Sequence, residues 1–503
     1  MKYIDKFLNN ITLYRLVLYS TMLLSLFGVG FAFAGVLPLN GMRLLISLAV
    51  LLIVCGVSNI VLGRVFKIPV NAESSYITAC ILFLILPPPA TVLAGIVIAL
   101  AGLLAMASKF VLNIRGKHFF NPAALAVLLI GFGNLGFATW WIGSDVLLIP
   151  VVICGLLIAR KLRKIDLFIS FALTAYVCIV VTQMHYGSSF IAASIETFKS
   201  WPLLFFGSIM LTEPVTVPPT SILRNIYGVV VGLLFGLSYT LGPIHSSPEL
   251  ALVLGNILSY AISPKQRLIL QFKEKVRMAP LVYDFIFTPN MRMNFTPGQY
   301  MEWTLTNKTQ DTRGNRRYFT IASAPTEQEV HIGVKVPDNA SSFKQTLVQL
   351  EPGDSVVAGQ LTGDFTLPKD ISKKIVAIAG GIGITPFRSM VRFLTDTKQQ
   401  RDMVLFYASA DPAEFVYTDV FDQGEKVGIK TIRILSGAKV VPDSWKGLTG
   451  FITKELIEAE VPDYAHRLYY LSGPGVMVDA YKKLLTSLNI PRSAIRTDYF
   501  PGY

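Results

Sequence analysis

Charge is scarce in the first 262 residues, and cysteine is absent from the last 241. Residues 1–262 hold 15 Lys/Arg and 7 Asp/Glu, whereas the remainder holds 30 and 25. So low a charge content excludes an ordinary soluble domain for the first segment. The four cysteines, Cys55, Cys80, Cys154 and Cys178, lie in apolar runs without C-x-x-C or ferredoxin-type spacing, and they read as buried packing residues. A four-cysteine iron–sulfur cluster is thereby excluded from the second half. Histidine is also rare. The first half has only His118, His185 and His245, each at a loop, so the paired axial ligands of a two-haem wire are missing. No metal-ligand cluster is legible. The net charge of +13 comes without any basic–aromatic motif for nucleic acid. Most of it sits in the charge-poor half, where basic loops accompany membrane helices.

What the first half does have is long apolar runs. Ten stretches are long enough to cross, or nearly cross, a bilayer: 15–37, 43–63, 74–87, 90–112, 122–136, 144–160, 165–184, 201–213, 225–241 and 249–262. The apolar run after the N-terminal ten residues is too long for a signal peptide and reads as the first membrane helix. With the N-terminus inside, thirteen Lys/Arg fall in inner loops and only Arg43 and Lys199 in outer ones. Ten crossings return the chain to the inner side before residue 263. The Trp140-Trp141 pair is expected at the outer interface.

The first half also carries an internal repeat at an offset of 126 residues. Phe83–Pro88 aligns with Ile209–Pro214, Gly102 with Gly228, and Asn121–Leu128 with Ser247–Leu254. Five helices separate the copies, so they are inverted in the membrane, an arrangement that places a binding site at their interface. Glu213 is the acidic residue expected at membrane depth beside a broken helix, and Asn121 and Thr212 are its companion site candidates.

Lys117-His118-Phe119-Phe120-Asn121-Pro122-Ala123-Ala124 and Met210-Leu211-Thr212-Glu213-Pro214-Val215-Thr216-Val217-Pro218 carry a resemblance over residues 10–260. This half resembles the RnfD/NqrB family, the flavin-carrying membrane proteins of the Rnf complex and of the sodium-pumping NADH:quinone reductase. Members of that family attach FMN to a threonine in a Ser-Gly-Ala-Thr segment. The nearest text here, Gly136-Phe137-Ala138-Thr139, lacks the Ser-Gly pair, which argues against a covalent flavin on Thr139 and leaves a non-covalent one as the open alternative.

From residue 267 the periodicity changes. Short alternating strands, such as 281–287 and 330–336, are separated by Pro297-Gly298 and Pro352-Gly353-Asp354, which predicts a small antiparallel barrel with one helix near 341–350. Strand–helix alternation over 373–498 predicts a doubly wound nucleotide domain, with strands at 375–379, 403–408, 431–435 and 468–472. In the barrel, Arg316–Pro325 offers a guanidinium for a pyrophosphate, an aromatic for a flavin ring and a hydroxyl for flavin N5. Asn339–Phe343 opens a helix with serines suited to a second phosphate contact. Gly380-Gly381-Ile382-Gly383-Ile384-Thr385-Pro386 lies between strand and helix, where a dinucleotide phosphate meets a helix N-terminus.

With Gly473-Pro474-Gly475-Val476-Met477, these motifs have the order and spacing of the ferredoxin–NADP reductase superfamily, which residues 267–503 resemble. The resemblance implies FAD, and NADH or NADPH as donor. It assigns cofactor binding to Arg317, Tyr318, Phe319, Thr320, Ile321, Val334, Ser341, Ser342, Gly380, Gly381, Gly383, Ile384, Thr385, Pro386, Gly473, Pro474 and Met477. It assigns catalytic contacts to Thr320, Ser472 and Tyr503, the last (or Phe500) as an aromatic cover over the flavin. Phe319 stands where the family usually has Tyr, and Ser472 where it usually has Cys. Asp411, after the second strand, disfavours a 2′-phosphate and points to NADH.

The expectation is a multi-domain chain: a ten-helix membrane domain over 1–262, an antiparallel β-barrel FAD domain over 263–370 and an α/β NAD(P) domain over 371–503. Its expected place is the inner membrane, among lipid, with the N-terminus and reductase part cytoplasmic. The expected activity is electron transfer from NAD(P)H through FAD to a quinone, a flavin or a partner protein. The alternatives are a redox-coupled Na⁺, H⁺ or solute transporter, or a component of an Rnf-like complex.

Overall fold

The computed structural model describes residues 8, 11–66, 72–114, 117–162, 164–214, 216–218, 220–242, 244–262, 268–305, 316–437 and 441–498. The chain divides into two compact units, Met1–Ser263 and Pro264–Tyr503.

The first unit is helical: α1 (Leu13–Phe33), α2 (Gly41–Phe66), α3 (Ala72–Ile85), α4 (Val92–Val111), α5 (Pro122–Phe132), α6 (Leu148–Leu162), α7 (Ile165–His185), α8 (Phe190–Ser200), α9 (Leu203–Phe205), α10 (Ser221–Gly236) and α11 (Pro248–Ile262). Two short antiparallel hairpins interrupt it, β1 (Asn113–Ile114) with β2 (Lys117–His118) and β3 (Thr240–Leu241) with β4 (Ile244–His245). Side-chain oxygens of Thr12, Thr91, Asn121 and Ser189 accept the first free N–H groups of α1, α4, α5 and α8. Pro122 at the start of α5 has no N–H to leave unpaired there. Four of the helices, α1, α2, α4 and α7, are long and apolar enough to cross a membrane. Their outer faces stay apolar, as at Leu26 (65% exposed) and Ile53 (64% exposed), a surface suited to lipid rather than water. Helices α3, α5, α10 and α11 are apolar but shorter.

Glycines set a close helix contact. A Cβ on Gly228, Gly232 or Gly236 of α10 would lie 2.2, 2.8 and 2.7 Å from atoms of Ser170, Thr174 and Cys178 on α7. Small residues four apart bring two backbones together in this way.

One sequence expectation needs amendment. Helix α8 falls between the expected spans. Its Ser194, Glu196, Thr197 and Lys199 keep its hydropathy low, and 11 residues reach only about 16 Å. The tryptophan pair is buried within the helical unit. Trp141 Nε1 donates to the Phe83 and Leu86 carbonyls at 2.9 and 3.1 Å, and Trp140 Nε1 donates to Glu249 at 3.0 Å. The open carbonyls at the C-terminal end of α3 need donors, and the Trp141 indole supplies one.

The second unit holds two sheets. Strands β5 (Leu268–Ala279), β6 (Val282–Pro289), β7 (Tyr300–Thr304), β8 (Arg316–Thr320), β9 (Val330–Lys335) and β10 (Ser355–Thr362) pair antiparallel in the order β8-β7-β10-β5-β6-β9. Helix α12 (Ser342–Val348) buries Phe343 and Leu347 in their core. The second sheet is parallel, with β11 (Ile375–Gly380), β12 (Met403–Ser409), β13 (Ile429–Leu435), β14 (Leu448–Thr449), β15 (Leu468–Ser472) and β16 (Ile495–Asp498) in the order β14-β13-β12-β11-β15-β16. Helix α13 (Thr385–Asp396) follows β11, α14 (Thr418–Gly424) follows β12, α15 (Lys454–Glu460) follows β14 and α16 (Gly475–Ser487) follows β15. Strands β11 and β12 are buried throughout, as parallel strands covered on both faces must be. The order reverses between β11 and β15, and a crevice outside their carboxyl ends is where such sheets bind ligands.

Candidate functional site

Two loops meet at that crevice. After β11 the chain turns at Gly381, held at φ +52 with open space where a Cβ would stand. It passes through a short 3-10 turn into α13, whose first turn has Pro386 and no side-chain cap. Uncapped N–H groups beside an open backbone suit a pyrophosphate. Gly383 lies so close to the end of β15 that a Cβ would fall 2.5 Å from the Ser472 carbonyl and 2.6 Å from Gly473 Cα. Met477 fills the other side: a Cβ on Gly380 would lie 2.3 Å from its sulfur. Gly380, Gly383, Ser472, Gly473, Pro474 and Met477 thus form one cluster, with Thr385 buried at the helix start and Ile384 in the core.

On the barrel, β8 alternates. Arg317 and Phe319 share one face, where Arg317 stands 5.4 Å over the Phe343 ring and Phe319 lies 5.8 Å from it. Cation, aromatic ring and the start of α12 therefore adjoin, as FAD binding needs. Ser341 is buried and its hydroxyl accepts the Lys344 N–H, capping the helix that Ser342 begins. Tyr318 points to the other face and donates its hydroxyl to Glu302 at 2.9 Å. Thr320 is buried beside them, and Ile321 and Val334 pack in the barrel core. Tyr503 and Phe500 lie outside the described residues.

A polar seam that the motifs do not announce joins barrel to parallel sheet. Asp284 of β6 accepts the Tyr417 hydroxyl at 3.0 Å and lies 2.8 Å from His331 Nδ1. Arg388 of α13 pairs with Glu327 and donates to the Ala322 carbonyl at 3.1 Å, and Ser389 donates to the Ser323 carbonyl at 2.6 Å. Tyr417 holds φ +59, a strained setting for an aromatic residue. Burial, with the Asp284 carboxylate beside it, pushes its phenol well above its usual range, so it remains a donor. The one local signal in the sequence is a lone carboxylate, Asp284, inside an otherwise apolar strand.

The helical unit has its own candidate site, a cleft of about 640 Å³ with its open mouth included. Asn121 Nδ2 donates to Glu213 at 3.0 Å, and the Asn121 backbone N–H donates to Asn256 Oδ1 at 2.8 Å. Asn256 in turn donates to the Tyr227 hydroxyl at 3.1 Å. Across the cleft Lys109 Nζ donates to the Ser74 carbonyl, the Ser74 hydroxyl and the Thr78 hydroxyl at 3.0, 2.9 and 2.8 Å. Thr212 also lines the cleft and donates to the Ser208 carbonyl at 2.7 Å, next to a π-helical turn over Phe206–Met210. Lys109, Asn256 and Tyr227 extend the set that the sequence suggested.

Residues 377–483 match the family model for an oxidoreductase NAD-binding domain. The chain is similar to the F subunit of the Na⁺-translocating NADH-quinone reductase of Pseudomonas aeruginosa, 30% identical over 233 residues, 44% of this chain and 56% of that one. It is also similar to the glycine betaine monooxygenase reductase subunit of Chromohalobacter salexigens, 26% identical over 212 residues, 41% of this chain and 56% of that one. The chain thus spans little more than half the length of either relative. Among solved structures, the Amycolatopsis cytochrome P450 reductase GcoB has 24% identity and a TM-score of 0.41, covering 47% of this chain and 70% of its own. Residues 377–483 thus carry an oxidoreductase NAD-binding domain, in a C-terminal half that is similar in sequence to reductase subunits.

Proposed function

We propose that the chain takes electrons from NAD(P)H into FAD in its second unit and passes them to an acceptor served by its membrane unit. The carrying observation is the close approach of Gly383 to Ser472 and Gly473, which builds a nucleotide crevice at the reversal point of the sheet. FAD, when bound, supplies the chemistry of accepting a hydride and releasing its electrons one at a time. The residues do the rest. Arg317 neutralises the FAD pyrophosphate, Phe319 packs on the cofactor, and Thr320 presents a hydroxyl at the ring edge. The start of α13, with Gly380, Gly381, Gly383, Thr385 and Pro386, holds the phosphates of the donor. Ser472, Gly473, Pro474 and Met477 wall the nicotinamide end. Asp411 leaves no counter-charge for a 2′-phosphate, which favours NADH. In this reading the domains run 1–262, 263–370 and 371–503.

Detergent-purified full-length protein tests this directly. It should carry FAD, and anaerobic NADH should bleach it; protein without FAD, or with FAD that NADH leaves oxidised, sinks the reading.

A second reading, ion or solute movement coupled to the redox step through an inverted-repeat membrane domain of ten crossings, has its own support. The hairpins β1–β2 and β3–β4 each precede a helix that starts at proline, Pro122 or Pro248. The first residues of α5 join α11 through Asn121 and Asn256. The acceptor (quinone, non-covalent flavin or partner protein) belongs in this reading to the Lys109–Glu213 cleft, and both termini face the cytoplasm. Proteoliposomes in which NADH oxidation moves neither Na⁺ nor H⁺ would refute the coupling, and reporter fusions at the two termini test the orientation.

A further inference from the structure

The flavin-holding and nucleotide-holding motifs sit on different sheets, and whatever fixes the two sheets fixes the gap between donor and acceptor rings. Gly333 of β9 marks a tight point between them. A Cβ there would lie 2.8 Å from Thr385 Cγ2, 2.8 Å from the Tyr417 hydroxyl and 3.2 Å from Ile382. Two of those neighbours belong to the nucleotide loop. The third, Tyr417, is tied back to the barrel by its bond to Asp284. His331, on the same strand as Gly333, holds the other oxygen of that carboxylate. Arg388 lies 5.5 Å over the Tyr417 ring and pairs with Glu327 on the loop that follows the flavin motif. Tyr417 is thus gripped from both sheets and keeps a left-handed backbone in that grip.

We propose that Asp284 and Tyr417 are positioning residues: their hydrogen bond, closed over Gly333, sets the separation of the two rings and hence the rate at which a hydride passes from nicotinamide to flavin. This rests on the function proposed above. It adds residues that touch neither cofactor. In the step itself, the hydride leaves the nicotinamide with both electrons of the broken C–H bond, NADH becoming NAD⁺ as the flavin is reduced. Small misplacements of reacting atoms slow such a step steeply.

The test uses full-length protein with FAD bound. Tyr417→Phe removes the hydroxyl and nothing else. FAD content, circular dichroism and the Kd for NADH should stay at their unmodified values. Stopped-flow bleaching should slow by roughly 10- to 100-fold, with a larger isotope effect from deuterated NADH. Amide exchange should quicken over Val330–Lys335 and the start of α13, a readout independent of turnover. Gly333→Ala keeps every hydrogen-bonding group but wedges the seam, and it should slow bleaching too. Asp284→Asn keeps an acceptor for the hydroxyl and should retain most of the rate. Bleaching at the unmodified rate in both Tyr417→Phe and Gly333→Ala overturns the proposal alone. Loss of FAD or of NADH affinity in step with the rate overturns it in favour of a general folding role. Unmodified protein that NADH fails to bleach overturns the functional reading and this proposal together.

Discussion

Asn121 and Glu213 are 92 positions apart in sequence, yet the amide of one donates to the carboxylate of the other at 3.0 Å. The same asparagine caps α5 and bonds to Asn256, so a single side chain and its N–H tie three segments together. Glu213→Gln keeps the bond and removes the charge. It should leave the rate of FAD bleaching by NADH unchanged and lower onward electron transfer to an added quinone. Equal rates in both half-reactions would separate Glu213 from the acceptor path. Asn121→Ala should instead destabilise the helical unit by about 1–2 kcal/mol through the lost cap, seen as a lower melting temperature in detergent.

Arg317 stands beside Phe319 and Phe343 on the face assigned to FAD. A charged hydrogen bond to phosphate contributes about 1.5–3 kcal/mol, so Arg317→Ala should weaken FAD binding by roughly 10- to 100-fold. Flavin retained after diafiltration measures it. Arg316→Ala, on the Glu302 side, should leave FAD content intact.

Gly381 and Gly383 fail differently. Gly381→Ala has room for its methyl and suffers only the left-handed backbone, a cost of about 1–2 kcal/mol. Gly383→Ala drives a methyl into the end of β15 and must push the two loops apart. Isothermal titration should therefore show NADH affinity surviving the first substitution and collapsing in the second.

Acid should loosen the parallel sheet at Asp463. The Arg467 guanidinium, bonded at 2.6 Å, and the Lys374 ammonium, at 2.7 Å, hold its carboxyl down to about 2 from the usual 3.8. A depressed carboxyl stabilises the fold above its unfolded value and loses that contribution as pH falls through the folded one. Melting temperature should drop between pH 3.8 and about 2, and less so in Asp463→Asn. The cluster is partly exposed, so salt should shrink the difference.

The parts of this fold that were legible are the parts fixed by local chemistry. A run such as Ile375-Val376-Ala377-Ile378-Ala379 followed by glycines dictates a buried strand and a turn, and the structure has both. Asn121-Pro122 dictates a helix start for the same kind of reason. The seam of Asp284, His331, Tyr417 and Arg388 was invisible because it joins residues up to 133 positions apart, and no spacing rule spans that distance. The bonds of Trp140 to Glu249 and of Trp141 to the Phe83 carbonyl were not legible because the partners lie 109 and 58 positions away. Helix α8 was missed because hydropathy finds crossings, not short amphipathic pieces between them. The cleft partners Lys109 and Asn256 were hidden inside apolar helices whose hydropathy they barely alter.

The contact of α10 with α7 carries a consequence for how this chain tolerates change. Along the exposed apolar faces of the long helices one bulky apolar side chain replaces another at little cost. At Gly228, Gly232 and Gly236 even a methyl group collides with the neighbouring helix. Random mutagenesis should find that face of α10 nearly frozen at every fourth residue, while the exposed apolar faces of α1 and α2 accept exchange among bulky apolar side chains.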